Sequence, residues 1–351
     1  MKIKHKAVIF MTVAEIYKEI KAISQEEQKL LLNQMLELVN GQSNAFKACE
    51  ILRQANGFIC PFCGGFAVRN GHLNGNKQRF ICKTCHRSFV SSTSTPLART
   101  HKNPDVWGKY MECLIKGESL RRTAMDCGIS VSTAFFWRHK VLDALEVVAK
   151  GTKVAGIVQM DETFFNDSYK GNHQGKIELP RDSKKRGQPA KKRGLSSEKI
   201  CIPCAVDSTG QKFAIVANRG KVSADALTAA FDGRILGQTN ICCDSEKSYR
   251  VLARQTGSIL HAIPSASRSI NGYNIQRVNA LHREINAMYQ RTHGMSTKYL
   301  NGYLALCCWL NGNRSRPTSE LRSELLKVIF GVDIQTTNRN TVMRVAVPLL
   351  V

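Results

Sequence analysis

Residues 154–160 read VAGIVQM and deliver Asp161-Glu162-Thr163 at their end. Short apolar runs bounded by turn residues are strand signals, and three more follow: ICIPCAV (200–206), KFAIVA (212–217) and ILGQTNICC (235–243). The last of them delivers Asp244-Ser245-Glu246. From Val278 onward the spacing turns helical, with Val278, Leu281, Ile285 and Met288 forming one apolar stripe. Strands first and helices after predict an α/β domain over 153–312. Two strands that each end on an aspartate can bring two carboxylates together, and such hard oxygen ligands hold Mg²⁺ or Mn²⁺. Paired divalent ions serve phosphodiester chemistry. An aspartate at a strand end also commonly starts a plain turn, so this pattern gains meaning only from its neighbours.

Upstream, residues 119–145 read SLRRTAMDCGISVSTAFFWRHKVLDAL. An amphipathic helix runs to Cys127, Gly128 makes the turn, Ile129 and Val131 are expected to plug it, and Ser130 or Ser132 caps the next helix. This predicts a helix-turn-helix within 100–150. Arg138, His139 and Lys140 on its second helix are candidates for reading a DNA groove, although the same geometry also serves plain core packing.

Further upstream, Cys60-Pro-Phe-Cys63 and Cys82-Lys-Thr-Cys85 give C-x2-C-x18-C-x2-C. Four thiolates so spaced close a tetrahedral structural zinc site with no open position. Between the pairs, Arg69, His72, Asn74, Lys77, Gln78 and Arg79 alternate with apolar residues, as in β-ribbons with a solvated basic face. So small a module, 56–92, cannot build a core unaided and needs the metal to fold. The other cysteines read differently. Cys201 and Cys204 sit in an apolar strand, and Cys242-Cys243 and Cys307-Cys308 are adjacent pairs, so all six are expected as small buried hydrophobes.

The whole chain has 351 residues, with 51 Lys plus Arg against 27 Asp plus Glu, a net charge of +24. The implied partner is a polyanion. Wholesale disorder is excluded by the 43% hydrophobic content. Thirteen cysteines with no export signal in view point to a reducing compartment, hence to cytoplasm beside nucleic acid. No apolar run is long enough to span a membrane. Residues 1–55 are expected to be a helical N-terminal region. Residues 170–199 hold ten Lys or Arg and form a basic insertion, with Lys184, Lys185, Arg186, Lys191, Lys192 and Arg193 as DNA-binding candidates. Residues 313–351 read as a C-terminal tail.

The zinc-ribbon cysteines, RRTAMDCGISVSTAFFWRHK (121–140), VQMDETFF (158–165), KKRGQPAKKRGLSSEKICIPCAVD (184–207), ICCDSEKSY (241–249) and VNALHREINAMYQRTHGMSTKYLNGYL (278–304) occur in this order. Together they resemble bacterial insertion-sequence transposases that carry a zinc ribbon ahead of a DDE-type domain. The resemblance covers about residues 55 to 312. It implies a multidomain α+β chain: helical N-terminus, zinc β-ribbon, helix-turn-helix, then an α/β ribonuclease H-like catalytic domain that cuts and joins element ends. It also implies double-stranded DNA as partner, a homo-oligomer in the synaptic complex, structural Zn²⁺, and Asp161 and Asp244 as the first two ligands of catalytic Mg²⁺ or Mn²⁺. Glu162 and Glu246 should point to the opposite face, because adjacent strand residues alternate.

In the third position the chain departs from the usual acid. The matching stretch is Asn279-Ala280-Leu281-His282, and the family includes Asn and His variants there. At about 100° per residue, His282 and Glu284 flank the apolar stripe on opposite sides. Asn279 and His282 share a face, and the resemblance favours that side. In the segment that follows, Ser296 is expected as a helix cap, and Lys298 either holds phosphate or belongs to a solvated face. A rival reading is a DNA-binding regulator descended from a transposase that has lost its chemistry.

Overall fold

The computed structural model describes residues 20–22, 24, 25, 27, 28, 57–73, 77–102, 104–171, 199–244, 247–264, 267 and 269–350. Nearly all of the expected helical region 1–55 lies outside them. So do Glu246, Lys184, Lys185, Arg186, Lys191, Lys192 and Arg193.

Three antiparallel strands open the described chain: β1 (Ala67–Leu73), β2 (Lys77–Cys82) and β3 (Ser88–Val90), in the order β1-β2-β3. Their core is small, built on Phe80, Phe89, Ala67, Cys60 and Cys82. The Phe80 and Phe89 rings stack at 5.5 Å. Three helices follow, α1 (Pro104–Ile115), α2 (Leu120–Cys127) and α3 (Val131–Lys150). Ser119 caps α2, and Gly128 ends it in the left-handed conformation at φ 60° that glycine adopts at no steric cost. The α3 cap is Ser130, whose side chain accepts from the Thr133 amide. Val131 does not plug the turn. It is 47% exposed, and Ile129 alone packs against the core.

The second sheet has five strands: β4 (Ile157–Asn166), β5 (Lys199–Asp207), β6 (Lys212–Ala214), β7 (Asn240–Cys243) and β8 (Ile259–Ala262). Their order is β6-β5-β4-β7-β8, so β4 is central. It pairs antiparallel with β5 along its length and parallel with β7 only from Ile157 to Gln159. Helices cover both faces. On one, α4 (Ala224–Phe231) and α5 (Ser248–Thr256) enclose Val158, Met160, Ile241 and Cys243. On the other lie α6 (Gln276–Arg291), a 3-10 turn (Thr297–Tyr299), α7 (Leu300–Gly312), α8 (Thr318–Gly331) and the short α9 (Asn338–Val342). The alternation of β4 divides its residues between these two cores.

The helix-turn-helix is not a separate body. Trp107 of α1 stacks on Trp137 of α3 at 3.7 Å, and both share one apolar cluster with Phe165, Leu281, Leu304 and Leu325. Where α3 meets α7, a Cβ at Gly302 would stand 2.9 Å from the Leu142 Cβ, so only glycine permits this approach. The boundaries expected near 150 and 312 therefore run through continuous core. Residues 313–351 form no loose tail either: Arg322 of α8 pairs with Glu112 of α1 at 2.6 Å, and the Leu350 amide donates to the Ala217 carbonyl. The six cysteines expected as hydrophobes are all buried.

Candidate active site

Asp161 does not end a strand. It lies midway along β4, and what ends beside it is the pairing with β7. Gln159 pairs with Cys242, so two residues further on each strand Asp161 comes beside Asp244. The Asp161 carboxyl is pushed up to about 6 by burial and by the Asp244 charge, against the pull of the Glu162 amide that donates to it at 2.9 Å. A buried carboxylate beside a second acidic charge favours a cation.

The third side is α6. Val278, Leu281, Ile285 and Met288 are its buried stripe, as the spacing requires. His282 presents Nδ1 to the Asp161 carboxylate at 3.8 Å. Burial holds its pKa down at about 4, only partly offset by the Asp161 main chain, so the ring is neutral at pH 7 and offers a lone pair. The other ring nitrogen, Nε2, is buried with no hydrogen-bond partner among the described residues. Asn279, one turn earlier, is half-buried. Glu284 turns away and pairs with Arg314 at 3.2 Å. Glu162 likewise faces the opposite side of the sheet, where it accepts from the Tyr249 hydroxyl at 2.5 Å. Asp161 and His282 bring a hard oxygen and a neutral imidazole 3.8 Å apart, with Asp244 in register on the next strand and no arginine or lysine paired with Asp161 among the described residues; the chemistry of these donors suits a divalent metal, although the three do not close on one another as the four cysteines do.

The sequence reading passed over Gln159. Its signal was one amide inside an otherwise apolar run, and it is only 6% exposed. Oε1 accepts from the Arg277 amide at 2.7 Å and the Val278 amide at 3.4 Å, while Nε2 donates to Asn274 Oδ1 at 3.0 Å.

The four cysteines of the ribbon converge. Cys60 and Cys85 sulfurs stand 3.6 Å apart, Cys63 and Cys82 sulfurs 3.5 Å. Sulfurs bound at about 2.3 Å to one tetrahedral zinc lie about 3.8 Å apart, so the set fits the ion. Amides of Cys85 and Thr84 donate to the Cys82 sulfur and hold its pKa down at about 6. Against the Gly65 amide, the Cys85 and Cys82 thiols push Cys63 up to about 12. Four thiolates need a cation to coexist. A Cβ on Gly65 would meet Thr84 Oγ1 at 2.4 Å, so this glycine lets the two knuckles close.

Several DNA-binding candidates are corrected. Arg138 is 7% and His139 1% exposed. The Arg138 guanidinium donates to the Glu118 carbonyl at 2.9 Å, and the His139 ring stacks beside Tyr299 at 3.9 Å. His139 thus faces the start of α7, whereas Arg138 faces the connection between α1 and α2. Lys140 is half-buried, with its ammonium on the Ala98 carbonyl at 3.1 Å. Lys298 is buried too, reaching the carbonyls of Gly171 and Val342. Ser296 does not cap a helix with its side chain; its hydroxyl donates to the Ser168 carbonyl. The exposed surface at the turn is instead Arg121, Arg122, Ser130, Val131 and Ser132. The sequence window could not separate these from the buried set, because the burying partner α7 lies more than 150 residues on.

Residues 153–309 match the family model of the ISXO2-like transposase domain. That stretch is similar to insertion-sequence transposase domains. Over 147 residues the chain is 26% identical to an uncharacterized protein in transposable element ISH50 of Halobacterium salinarum. That match takes in 42% of this chain and 45% of the relative, so it spans less than half the relative's length. Among solved structures, the pre-cleavage Mos1 transpososome aligns at 12% identity, covering 68% of this chain and 82% of that one, with a TM-score of 0.23. For the Mos1 strand transfer complex the identity is 11%, the coverage 66% and 78%, and the TM-score 0.24. Scores this low define no common fold. Among the described residues, no helix is long and apolar enough to cross a membrane.

Proposed function

We propose that this protein is a DNA transposase that binds the ends of an insertion sequence, cuts them and joins them to target DNA. The observation that carries the reading is the approach of His282 to Asp161, with Asp244 in register on the neighbouring strand, inside the stretch that matches transposase domains. The sheet supports a ribonuclease H-like assignment, with an antiparallel β6-β5-β4 meander extended by the parallel strands β7 and β8.

Asp161 and Asp244 would hold Mg²⁺ or Mn²⁺, with His282, Asn279 or both completing the set. Such ions, when bound, stabilise the attacking and leaving oxygens of an in-line displacement. In the first step a water oxygen forms a bond to phosphorus and the bond to the 3′ oxygen breaks. This leaves a 5′-phosphate and a 3′-hydroxyl, and the water proton passes to solvent. In the second, that 3′-hydroxyl gives up its proton to solvent, its oxygen bonds to the phosphorus of a target phosphodiester, and the target's own 3′ oxygen leaves and takes up a proton.

The zinc ribbon, held by Cys60, Cys63, Cys82 and Cys85, presents Arg69, His72 and Lys77 on its exposed side for element-end DNA. The helix-turn-helix adds Arg121, Arg122 and the exposed turn. The basic insertion with Lys184, Lys185, Arg186, Lys191, Lys192 and Arg193 adds sequence-independent phosphate contacts. Synapsis of two ends calls for a homo-oligomer, in the cytoplasm with the nucleoid. The test is incubation of the full chain with DNA carrying the flanking inverted repeats and Mg²⁺ or Mn²⁺. Cleavage at the repeat boundary, lost in Asp244→Asn, supports the transposase. Tight binding with no cleavage under any divalent ion supports the regulator.

A further inference from the structure

Helix α6 carries His282 and Asn279, yet its own start is poorly made for a helix. Ile275 at the N-cap has no side-chain oxygen to offer, and no side-chain cap bond comes from it. The first amides of a helix have no partner within the helix and must find one outside. Here the Gln276 amide donates to Asn274 Oδ1 at 3.1 Å, and the Arg277 and Val278 amides both donate to Gln159 Oε1. Gln159 Nε2 closes the ring by donating to Asn274 Oδ1. A strand side chain thus does the work of a helix cap.

Its place in the strand is telling. Gln159 lies two residues before Asp161 on the same face of β4, the face that α6 covers. A buried amide in an apolar interface is costly unless both its ends are hydrogen-bonded, and both are. From this joint the strand advances two residues, about 7 Å, to Asp161. The helix advances six residues from Gln276, about 9 Å, to His282. The two paths arrive 3.8 Å apart. An apolar stripe alone tolerates sliding and small rotation of the helix, but a ring of hydrogen bonds at fixed backbone amides does not.

We propose that Gln159 is a positioning residue of the active site, which by capping α6 from the neighbouring strand fixes the helix register that sets His282 and Asn279 against Asp161. This rests on the metal-site reading of Asp161. It also assigns Asn274 as the partner through which Gln159 acts. Gln159→Leu keeps volume and removes all of these bonds. Gln159→Glu keeps the acceptor for the two amides and loses the donor to Asn274.

The experiment measures Mn²⁺ affinity of the full chain by titration calorimetry, together with zinc content, melting temperature and cleavage against Mn²⁺ concentration. Gln159→Leu is expected to retain zinc and a folded α/β domain and to weaken Mn²⁺ binding about 10- to 100-fold, the usual effect of losing an outer partner of a metal ligand. Cleavage should move to higher Mn²⁺ by the same factor. Asn274→Ala should do the same to a smaller degree, Gln159→Glu should recover affinity relative to Gln159→Leu, and the Gln159→Leu effect should vanish in a His282→Ala background. If Gln159→Leu lowers the melting temperature while Mn²⁺ affinity stays at the wild-type value, the residue is a plain stabiliser and the inference is overturned. Equal loss with and without His282 would overturn it as well. If Asp161→Asn leaves Mn²⁺ binding unchanged, the metal-site reading itself fails and takes this inference with it, an outcome distinct from the other two.

Discussion

The two candidate metal sites of this protein are built in opposite ways. In the ribbon, all four ligands fall between Cys60 and Cys85, on two tight knuckles, over a core of a few residues. At the acidic site, Asp161, Asp244 and His282 come from β4, beyond β7, and from α6, and span more than 120 residues of chain. The ribbon without its metal has little to hold it together. The acidic site sits between two large apolar clusters that need no ion to form. Removing a ligand should therefore unfold the one and merely disable the other.

That contrast can be broken most directly at Cys82. Structural zinc contributes about 10 kcal/mol or more to the folding of a small module, so Cys82→Ser should lose bound zinc and unfold residues 57–90. Hydrogen exchange should show that loss of protection confined to the ribbon, with the α/β domain unchanged. A ribbon that stays protected without zinc would erase the difference. Asp161→Asn tests the other half. Cleavage should fall by more than the about 100-fold typical of losing an outer-shell partner, with the melting temperature unchanged or raised. The rise is expected because Asp161, pushed up to about 6, is an unfavourable charge at pH 7 when no cation is present.

A third test concerns the core that supports the acidic site. His139 is buried, and burial, with Arg344, Arg138 and Lys298 nearby, holds its pKa at about 3 against 6.5 unfolded. A histidine whose folded value is depressed must stay neutral to fold. Its contribution is complete above pH 6.5 and is lost as the pH falls toward 3, amounting to about 2 kcal/mol at pH 5. Denaturant midpoints of wild type and His139→Phe, compared at pH 7 and pH 5, should show this excess acid sensitivity in the wild type alone. The smallest effect is expected at Glu284. Its surface pair with Arg314 is worth less than about 1 kcal/mol, and Glu284→Ala should leave cleavage unaltered while His282→Ala lowers it strongly. Strong loss in Glu284→Ala would move the third position to the other edge of the helix.

Local chemistry was legible from the chain in proportion to how few residues it involves. The four-cysteine cluster, the Ser130 cap, the Gly128 turn and the apolar stripe of α6 are each set within about thirty residues, where spacing fixes geometry. The alternation that turns Glu162 away from Asp161 is equally local, since it follows from the pleat of a single strand. Arg138, His139 and Lys298 read as a basic surface because the window that contains them holds no sign of what covers them. The burial of His139 is decided by Tyr299 and Tyr303 and that of Lys298 by the C-terminal segment, contacts between parts of the chain far apart in sequence, while Arg138 is held nearer by, on the Glu118 carbonyl.

By itself, then, the amino-acid sequence determined the four-cysteine cluster, the strands β4 to β7 and the apolar stripe of α6, and it named Asp161, Asp244, Asn279 and His282 as candidates for a second metal. Only the tertiary structure decided that β7 stops pairing with β4 just before Asp161, that His282 rather than Glu284 faces it, and that Gln159 caps the helix between them. The physical reason is that periodicity specifies which face of an element is apolar, whereas the partner that face meets, and at what register, is chosen by packing and hydrogen bonding between elements.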